Sequence, residues 1–140
     1  MKRLSDGKGE DATMDPHGEN LSKTREKLFM DHTISRPKII AVDFDGCLVE
    51  DRYPEIGRPH WKVIGDLRLE QEQGAKIILW TCRRGLELNA AVEWCDLYGI
   101  DLDAVNENLP EMIEFFGEDT RKIFADEYWD DRAVRMGNDE

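Results

Sequence analysis

Apolar and polar positions divide the chain near residue 38. Before that point most residues are polar, whereas beyond it continuous apolar runs alternate with segments in which apolar residues recur every three or four positions. The run over residues 39–44 is almost unbroken, which is typical of a strand buried on both faces of a parallel sheet. Shorter apolar runs over residues 76–80, 102–105 and 123–129 predict further strands.

Between these runs, the spacing of apolar residues predicts helices. The first helix is expected over residues 59–73, with Trp61 and Ile64 among the residues on its inward face. Two more are expected over residues 88–98 and 109–116. A glycine follows each predicted helix, and glycine readily adopts the left-handed backbone conformation that ends a helix.

The alternation of strands and helices predicts one α/β domain over residues 38–140. Strands that alternate with helices usually form a mainly parallel sheet with helices on both faces and right-handed crossovers. We therefore expect a Rossmann-like three-layer sandwich. Residues 1–37 contain too few apolar positions for a core of their own, and they are predicted to form a mobile polar arm.

The predicted domain is strongly acidic. The chain has a formal net charge of -12, and the whole excess falls from Lys38 onward, where 12 basic and 24 acidic residues stand. Such a surface repels the phosphate backbone of nucleic acids at long range. Nonspecific nucleic-acid binding is therefore disfavoured.

The sequence contains neither an apolar stretch long enough for a membrane span nor the apolar run of a secretory signal, and the expected compartment is the cytoplasm. Cysteine usage agrees with this expectation. Cys47, Cys82 and Cys95 are odd in number, lie far apart and lack the close spacing of a zinc site. We expect reduced thiols, without disulfides or a zinc centre.

Chemically active side chains stand next to the predicted strands. Ligands of an open parallel sheet collect at the carboxyl ends of its strands, so residues near these ends are candidates for a site. In chain order they are Asp43, Asp45, Thr81, Lys122, Asp130 and Asp131. Together they offer a nucleophile, a proton donor, a cation and hard oxygen ligands, which are the needs of phosphoryl transfer with Mg2+.

Four short motifs resemble those of the haloacid dehalogenase (HAD) superfamily. In chain order they are Asp43-Phe44-Asp45-Gly46 after an apolar strand, Trp80-Thr81-Cys82-Arg83, Lys122, and the acidic pair Asp130-Asp131. Their order and their places on the predicted elements give the resemblance its specificity, and it covers residues 38 to about 135.

The resemblance implies a role for each motif. Asp43 is expected to attack the phosphate ester as a nucleophile, forming an aspartyl-phosphate, and also to bind Mg2+. Asp45 is expected to protonate the leaving oxygen, then to activate water, and to contribute to the metal site. The remaining expected roles are phosphate binding for Thr81, Cys82 and Arg83, catalysis and phosphate binding for Lys122, and Mg2+ binding for Asp130 and Asp131.

The fourth motif allows two registers, because Asp126 and Asp130 have the separation seen in another form of it. A strand that ended at Asp126 would be short and would leave Tyr128 and Trp129 in an exposed loop. We therefore assign metal binding to Asp130, with Asp131 as its support, and no role to Asp126.

Residues near the ends of two other strands have open assignments. Asn106, Glu107 and Asn108 follow the third predicted strand, where they either contact substrate or metal-bound water or form an ordinary turn. Beside Arg83, Arg84 is expected to be an exposed surface residue.

HAD enzymes often contain an inserted cap domain, and neither of the gaps that would hold one is long enough in this chain. The site is therefore expected to be open. An open site fits a bulky substrate, or a homo-oligomer in which a second subunit covers it.

The sequence thus predicts a capless, Mg2+-dependent phosphomonoesterase that acts on a small phosphorylated metabolite or nucleotide. Two alternatives stay open: a nucleic-acid end phosphatase, which an open site would admit, and a noncatalytic phosphate-binding or regulatory module with the same fold. The presence of both Asp43 and Asp45 favours hydrolysis, because a binding module has no need for Asp45.

Overall fold

The computed structural model describes residues 36–137 of the chain. The predicted N-terminal arm therefore lies outside the described residues, apart from Arg36 and Pro37. Residues 138–140 also lie outside them.

Strands and helices alternate along the described part of the chain, as the apolar pattern predicts. They are β1 (Ile39–Val42), α1 (Trp61–Glu72), β2 (Lys76–Leu79), α2 (Gly85–Leu97), β3 (Ala104–Val105), α3 (Pro110–Phe116) and β4 (Glu127–Trp129). The ends of α3 follow from its sequence. Pro110 opens the helix, where a missing N–H costs nothing, and Gly117 closes it in the left-handed conformation, with φ of 85°.

The sheet is parallel throughout and has the strand order β3-β2-β1-β4. Val42, the last residue of β1, pairs in register with Leu79 of β2 and with Trp129 of β4. The residues that follow these three strands therefore reach the same edge of the sheet. This architecture is a Rossmann-like three-layer α/β fold, which confirms the fold class predicted from the sequence.

The hydrophobic core fixes the first strand and the turn that follows it. All four residues of β1 are buried, and so are Phe44 and Leu48 just beyond it. The ring of Phe44 packs edge-on against Trp94 of α2, with 5.3 Å between the ring centroids. Such a ring pair adds about 0.5–1.5 kcal/mol beyond the burial of its area. The backbone after β1 is thus anchored in the core immediately beside the predicted site.

Two details of the sequence interpretation are wrong. The apolar spacing places Trp61 on the inward face of α1, but its side chain is 66% exposed and packs against the ring of Tyr98. The apolar run predicts a fourth strand from residue 123, yet β4 begins at Glu127. Residues 123–126 run up to the sheet as irregular backbone, and the pairing with β1 starts where Glu127 lies opposite Ile40.

Asp126 ties the start of β4 to β1 through both its backbone and its side chain. Its N–H donates to the carbonyl of Ile39 at 2.7 Å, and its carboxylate accepts the N–H of Ile39 at 2.8 Å. Asp103 does the same at the start of β3, where it bonds the carbonyl and the N–H of Ile77 at 2.7 and 2.9 Å. A carboxylate before each short edge strand thus satisfies a central-strand N–H that would otherwise lose its partner.

Within residues 36–137, the segments that join the strands contain only loops and the helices named above, so this part of the chain has no cap domain. None of its helices is long and apolar enough to cross a membrane.

Asp126→Ala should lower the free energy of unfolding by about 1–3 kcal/mol, because it leaves the partly buried N–H of Ile39 without its acceptor. Asp126→Asn retains an acceptor oxygen and should lose clearly less. Urea denaturation of the three proteins checks this expectation. If the alanine and asparagine variants were equally stable, the hydrogen bond from the Ile39 N–H to the side chain of residue 126 would not contribute to stability.

Candidate active site

The residues after β1, β2, β3 and β4 enclose a cleft of about 670 Å³ at the carboxyl edge of the sheet. Its lining residues are Asp43, Asp45, Asp51, Tyr53, Trp80, Thr81, Cys82, Arg83, Asn106, Asp130 and Arg132. Most of them are polar or charged, and they include most of the residues that the sequence singles out.

Three carboxylates meet at one end of the cleft. Asp43, Asp130 and Asp131 each bring an oxygen atom within 4.8 Å of the others. The sheet fixes this meeting, because the backbone N–H of Asp43 donates to the carbonyl of Trp129 at 2.9 Å and so holds the ends of β1 and β4 side by side. The geometry therefore agrees with the choice of Asp130 and Asp131 for the fourth motif, and Asp126 lies at the opposite end of β4.

Burial and the neighbouring negative charges both affect the pKa of Asp43. Partial burial raises the pKa of Asp43 to about 6. The N–H of Phe44 opposes the increase, while the carboxylates of Asp130 and Asp131 add to it. Without a cation, the ionised form of Asp43 is thus destabilised, and a divalent cation among the three carboxylates would relieve the repulsion.

Gly46 allows the chain to turn beneath this cluster. Its φ is 88°, in the region that favours glycine, and a Cβ atom there would lie 2.8 Å from Cγ of Asp131. The turn is closed by hydrogen bonds from the N–H groups of Leu48 and Val49 to the carbonyl of Phe44 at 2.9 and 3.2 Å. The glycine of the first motif therefore provides both the turn and the space for a carboxylate of the fourth.

Asp45 does not join the three carboxylates, and its side chain is bound by Arg83 instead. Nε and Nη2 of Arg83 each donate to a different oxygen of Asp45, both at 2.8 Å. Arg83 is only 2% exposed, and Asp45 is the main cause that raises the pKa of Arg83. The geometry thus gives no support to a side-chain role for Asp45 in the metal site.

The remaining donors of Arg83 go to backbone carbonyls. Nη1 donates to Pro54 at 3.2 Å and to Glu87 at 3.3 Å, and the second proton of Nη2 goes to Glu55 at 2.8 Å. A guanidinium has five N–H groups, and all five are now used. The expectation that Arg83 binds phosphate therefore needs correction, because a buried guanidinium without a free donor cannot bind substrate unless it gives up these partners.

Thr81 and Asn106 stay available to a ligand in the cleft. The hydroxyl of Thr81 accepts the N–H of Arg83 at 3.1 Å, and the N–H of Thr81 donates to Oδ1 of Asn106 at 2.8 Å. Thr81 does not cap α2, whose N-cap residue is Arg84. Its hydroxyl proton and the NH2 group of Asn106 are therefore free to donate to a ligand.

Asn108 has a structural role that the sequence left open. It is fully buried, and its amide nitrogen donates to Asp119 at 2.8 Å, while its oxygen accepts the N–H of Phe124 at 2.8 Å. It therefore fixes the approach to β4 and does not face the cleft.

The cysteines differ in exposure. Burial raises the pKa of the Cys47 and Cys95 thiols to about 12, which makes them unreactive near neutral pH. Cys82 is exposed and lines the cleft, and its role in phosphate binding stays a prediction.

Lys122 lies away from the cleft. Its side chain is exposed, and its Nζ atom lies 5.7 Å from the centroid of the Tyr128 ring. The reason is topological, since a residue that precedes a parallel strand approaches the amino edge of the sheet, opposite the carboxyl edge where ligands bind. The expectation that Lys122 acts in catalysis and phosphate binding is therefore corrected.

Three cleft residues were not recognised in the sequence: Asp51, Tyr53 and Arg132. Arg132 follows the acidic pair of the fourth motif directly, so its position after a strand could have indicated it. Unlike Arg83, its guanidinium has no partner among the described residues, and it is the cation that this part of the chain offers to an anion in the cleft. Asp51 and Tyr53 stand on a loop, where no periodic pattern marks them.

No protein-family model matches the chain, and no curated protein does. A solved structure does match: a conserved protein coded by a locus from Bacteroides thetaiotaomicron is 41% identical, with a TM-score of 0.62, over 71% of this chain and 79% of the other. At this identity and coverage, the chain belongs to the same family as that conserved protein. The description of that protein states no activity, so the interpretation of function rests on the site.

Arg83→Met should destabilise the protein by about 3–5 kcal/mol, because Asp45 and three carbonyls lose the partner that satisfies them in a buried position. Arg83→Lys should recover little of this loss, since an ammonium cannot bind both oxygens of Asp45 as a planar fork does. Arg84→Met is the matched control at an exposed position and should change stability little. If the Arg83→Met and Arg84→Met variants unfolded at the same urea concentration, the buried pair of Arg83 and Asp45 would not stabilise the protein, which would contradict this account.

Asp43→Asn should stabilise the metal-free protein at pH 7.5, by about 1–2 kcal/mol after allowance for the partial exposure of the site. The raised pKa of Asp43 means that its ionisation costs stability as the pH rises from about 4 through 6. The advantage of the variant should therefore disappear near pH 4. Melting curves of both proteins in EDTA across this range provide the measurement, and a pH-independent difference would contradict the account.

Proposed function

We propose that the chain is a capless phosphohydrolase of the HAD type, which uses Asp43 as its nucleophile and depends on Mg2+. The observation that carries the proposal is the meeting of Asp43, Asp130 and Asp131 within 4.8 Å at the carboxyl edge of the sheet. Asp45 and Thr81 line the same cleft, and Gly46 makes the turn beside Asp131, which supports the proposal.

The donor set suits Mg2+. Carboxylate oxygens are the hard ligands that this ion prefers, and it usually keeps several water molecules to complete its octahedral shell. The raised pKa of Asp43 reflects burial and the repulsion of its neighbours, and a bound cation would offset both. When bound, Mg2+ would also offset the charge of the phosphate.

In the first step Asp43 attacks the phosphorus atom through a carboxylate oxygen. The ester P–O bond breaks, and the leaving oxygen takes a proton from the carboxyl group of Asp45. In the second step water attacks the phosphorus atom of the aspartyl-phosphate and gives its proton to Asp45. Inorganic phosphate leaves and the Asp43 carboxylate is restored.

The ion pair with Arg83 limits the part that Asp45 can take in proton transfer but does not prevent it. Each carboxylate oxygen offers two lone pairs, of which Arg83 uses one. Asp45 therefore keeps one lone pair on each oxygen that can take part in proton transfer during turnover. In this proposal the cation that faces the phosphate is Arg132, with the hydroxyl of Thr81, in place of Arg83 and Lys122.

The Asp45–Arg83 pair also favours a second candidate function, a noncatalytic phosphate-binding or regulatory module. The presence of both Asp43 and Asp45 favours hydrolysis because a binding module has no need for Asp45, yet the buried guanidinium gives Asp45 a use that requires no chemistry. The two candidates differ in a simple measurement, because a binding module would bind inorganic phosphate with Mg2+ and turn over no ester. A nucleic-acid end phosphatase is less favoured, since the acidic domain repels a polyanion.

We also propose a substrate class, a partner and a cellular compartment. The substrate is a small phosphorylated metabolite or nucleotide, and a second copy of the chain is the partner that would cover the open cleft. The cytoplasm is the proposed compartment, and the free thiols of Cys47, Cys82 and Cys95 fit its reducing conditions.

Turnover of an aryl phosphate should require Mg2+, stop in EDTA and return when Mg2+ is restored. Asp43→Asn should abolish it, because an amide neither attacks phosphorus nor replaces a charged ligand. Asp130→Asn should raise the Mg2+ concentration for half-maximal rate by about 10-fold or more.

Asp126→Asn is the matched control for that metal defect. It removes one negative charge just before the same strand but lies outside the carboxylate cluster, so its Mg2+ requirement should equal that of the unaltered protein. A metal defect in the Asp126 variant, with none in the Asp130 variant, would overturn the proposed site. Folded protein that binds phosphate and hydrolyses no ester would favour the binding module.

A further inference from the structure

Tyr53 presents an aromatic ring on the wall of the cleft. Its side chain is 55% exposed, and it lines the same cleft as Asp43 and Trp80. Its hydroxyl makes no hydrogen bond with any residue of the described chain. A ligand bound in the cleft beside Asp43 can therefore contact the exposed ring of Tyr53.

The guanidinium of Arg83 packs against the Tyr53 ring. The Cζ atom of Arg83 lies 5.1 Å from the centroid of the Tyr53 ring and 5.0 Å from that of the Phe44 ring. Arg83 also bonds the carbonyl of Pro54, the residue next to Tyr53. Phe44, Arg83 and Tyr53 thus form a stack that begins in the core and ends at the cleft. One face of Tyr53 thus lies over the cation, while 55% of the side chain remains exposed.

The surroundings of the ring add polar donors and a second aromatic surface. Trp80 lines the cleft directly before Thr81. The NH2 group of Asn106 remains free after its oxygen has accepted the N–H of Thr81. A planar group with hydrogen-bond acceptors on its edge, such as a nucleobase, would find both a stacking surface and a donor here.

We infer that the cleft selects phosphate esters whose leaving group carries a planar ring, with a nucleoside monophosphate as the class that uses both Tyr53 and Asn106. This inference rests on the proposed function and names its substrate class. An aromatic side chain that already packs against a neighbour before binding loses less freedom when a base stacks on it.

The test compares a nucleoside 5'-monophosphate and phenyl phosphate with glycerol phosphate, which lacks a ring. With Mg2+, kcat/KM for the two ring-bearing esters should exceed that for glycerol phosphate, and Tyr53→Leu should reduce this preference by about 5-fold or more. Tyr53→Phe retains the ring and should retain the preference. Trp61→Leu, which removes an exposed aromatic residue outside the cleft, controls for a general effect of lost aromatic surface.

Binding gives a readout that does not depend on turnover. Equilibrium dialysis of the same esters with the Asp43→Asn variant, which should not turn them over, should show the same order of affinity and the same loss with Tyr53→Leu. Equal affinity for all the esters, or a preference that survives Tyr53→Leu, would overturn the inference while leaving hydrolysis intact. Tyr53-dependent nucleotide binding without turnover of any ester would sustain the inference and remove the proposed function.

A difference between the two ring-bearing esters identifies the contribution of Asn106. If the unaltered protein prefers the nucleotide over phenyl phosphate and Asn106→Ala does not, the amide of Asn106 recognises the edge of the base. If the preference for the nucleotide over phenyl phosphate is the same in the unaltered protein and in Asn106→Ala, Asn106 has no part in recognising the base.

Discussion

A buried guanidinium that has no free donor holds together the segments that follow β1 and β2 at the carboxyl edge of this sheet. Arg83 enters the domain from the loop after β2, yet it bonds Asp45 after β1, the carbonyls of Pro54 and Glu55, and the carbonyl of Glu87 in α2. It thereby joins three segments that the sheet alone leaves independent. Burial of such a charge is costly unless every donor is satisfied, so the pair Arg83–Asp45 fixes this part of the chain in one arrangement.

The same pairing separates the acidic residues of the cleft into two groups. Arg83 neutralises Asp45, whereas Asp43, Asp130 and Asp131 face one another without an ion-pair partner among the described residues. Burial, with a smaller contribution from the neighbouring carboxylates, raises the pKa of Asp43, so the ionised form of this residue is held at a cost. An energetic cost of this kind is common at functional sites, where a ligand offsets it. It is the physical reason to expect a metal ion in this place.

Sequence patterns predicted the fold well because burial controls it. The apolar run of β1 and the glycine after α3 have local signatures, and the parallel order follows from the alternation of helices and strands. The carboxylates of Asp43, Asp130 and Asp131 were also predictable, since they follow the ends of strands. Arg83 and Lys122 were not, because the sequence indicates that a cation is present but not whether its donors are already used or at which edge of the sheet it lies. Tyr53 stands on a loop, where only the fold brings it to the cleft.

The central claim is that Asp43 carries the phosphoryl group during turnover, and trapping that intermediate tests it most directly. The protein is mixed with Mg2+ and an aryl phosphate, quenched in acid within the first turnover, and its peptides are analysed by mass spectrometry. The account predicts one added phosphoryl group on the peptide that contains Asp43, absent in EDTA and in the Asp43→Asn variant. Rapid ester hydrolysis with no label on Asp43, or with the label on another residue, would contradict it.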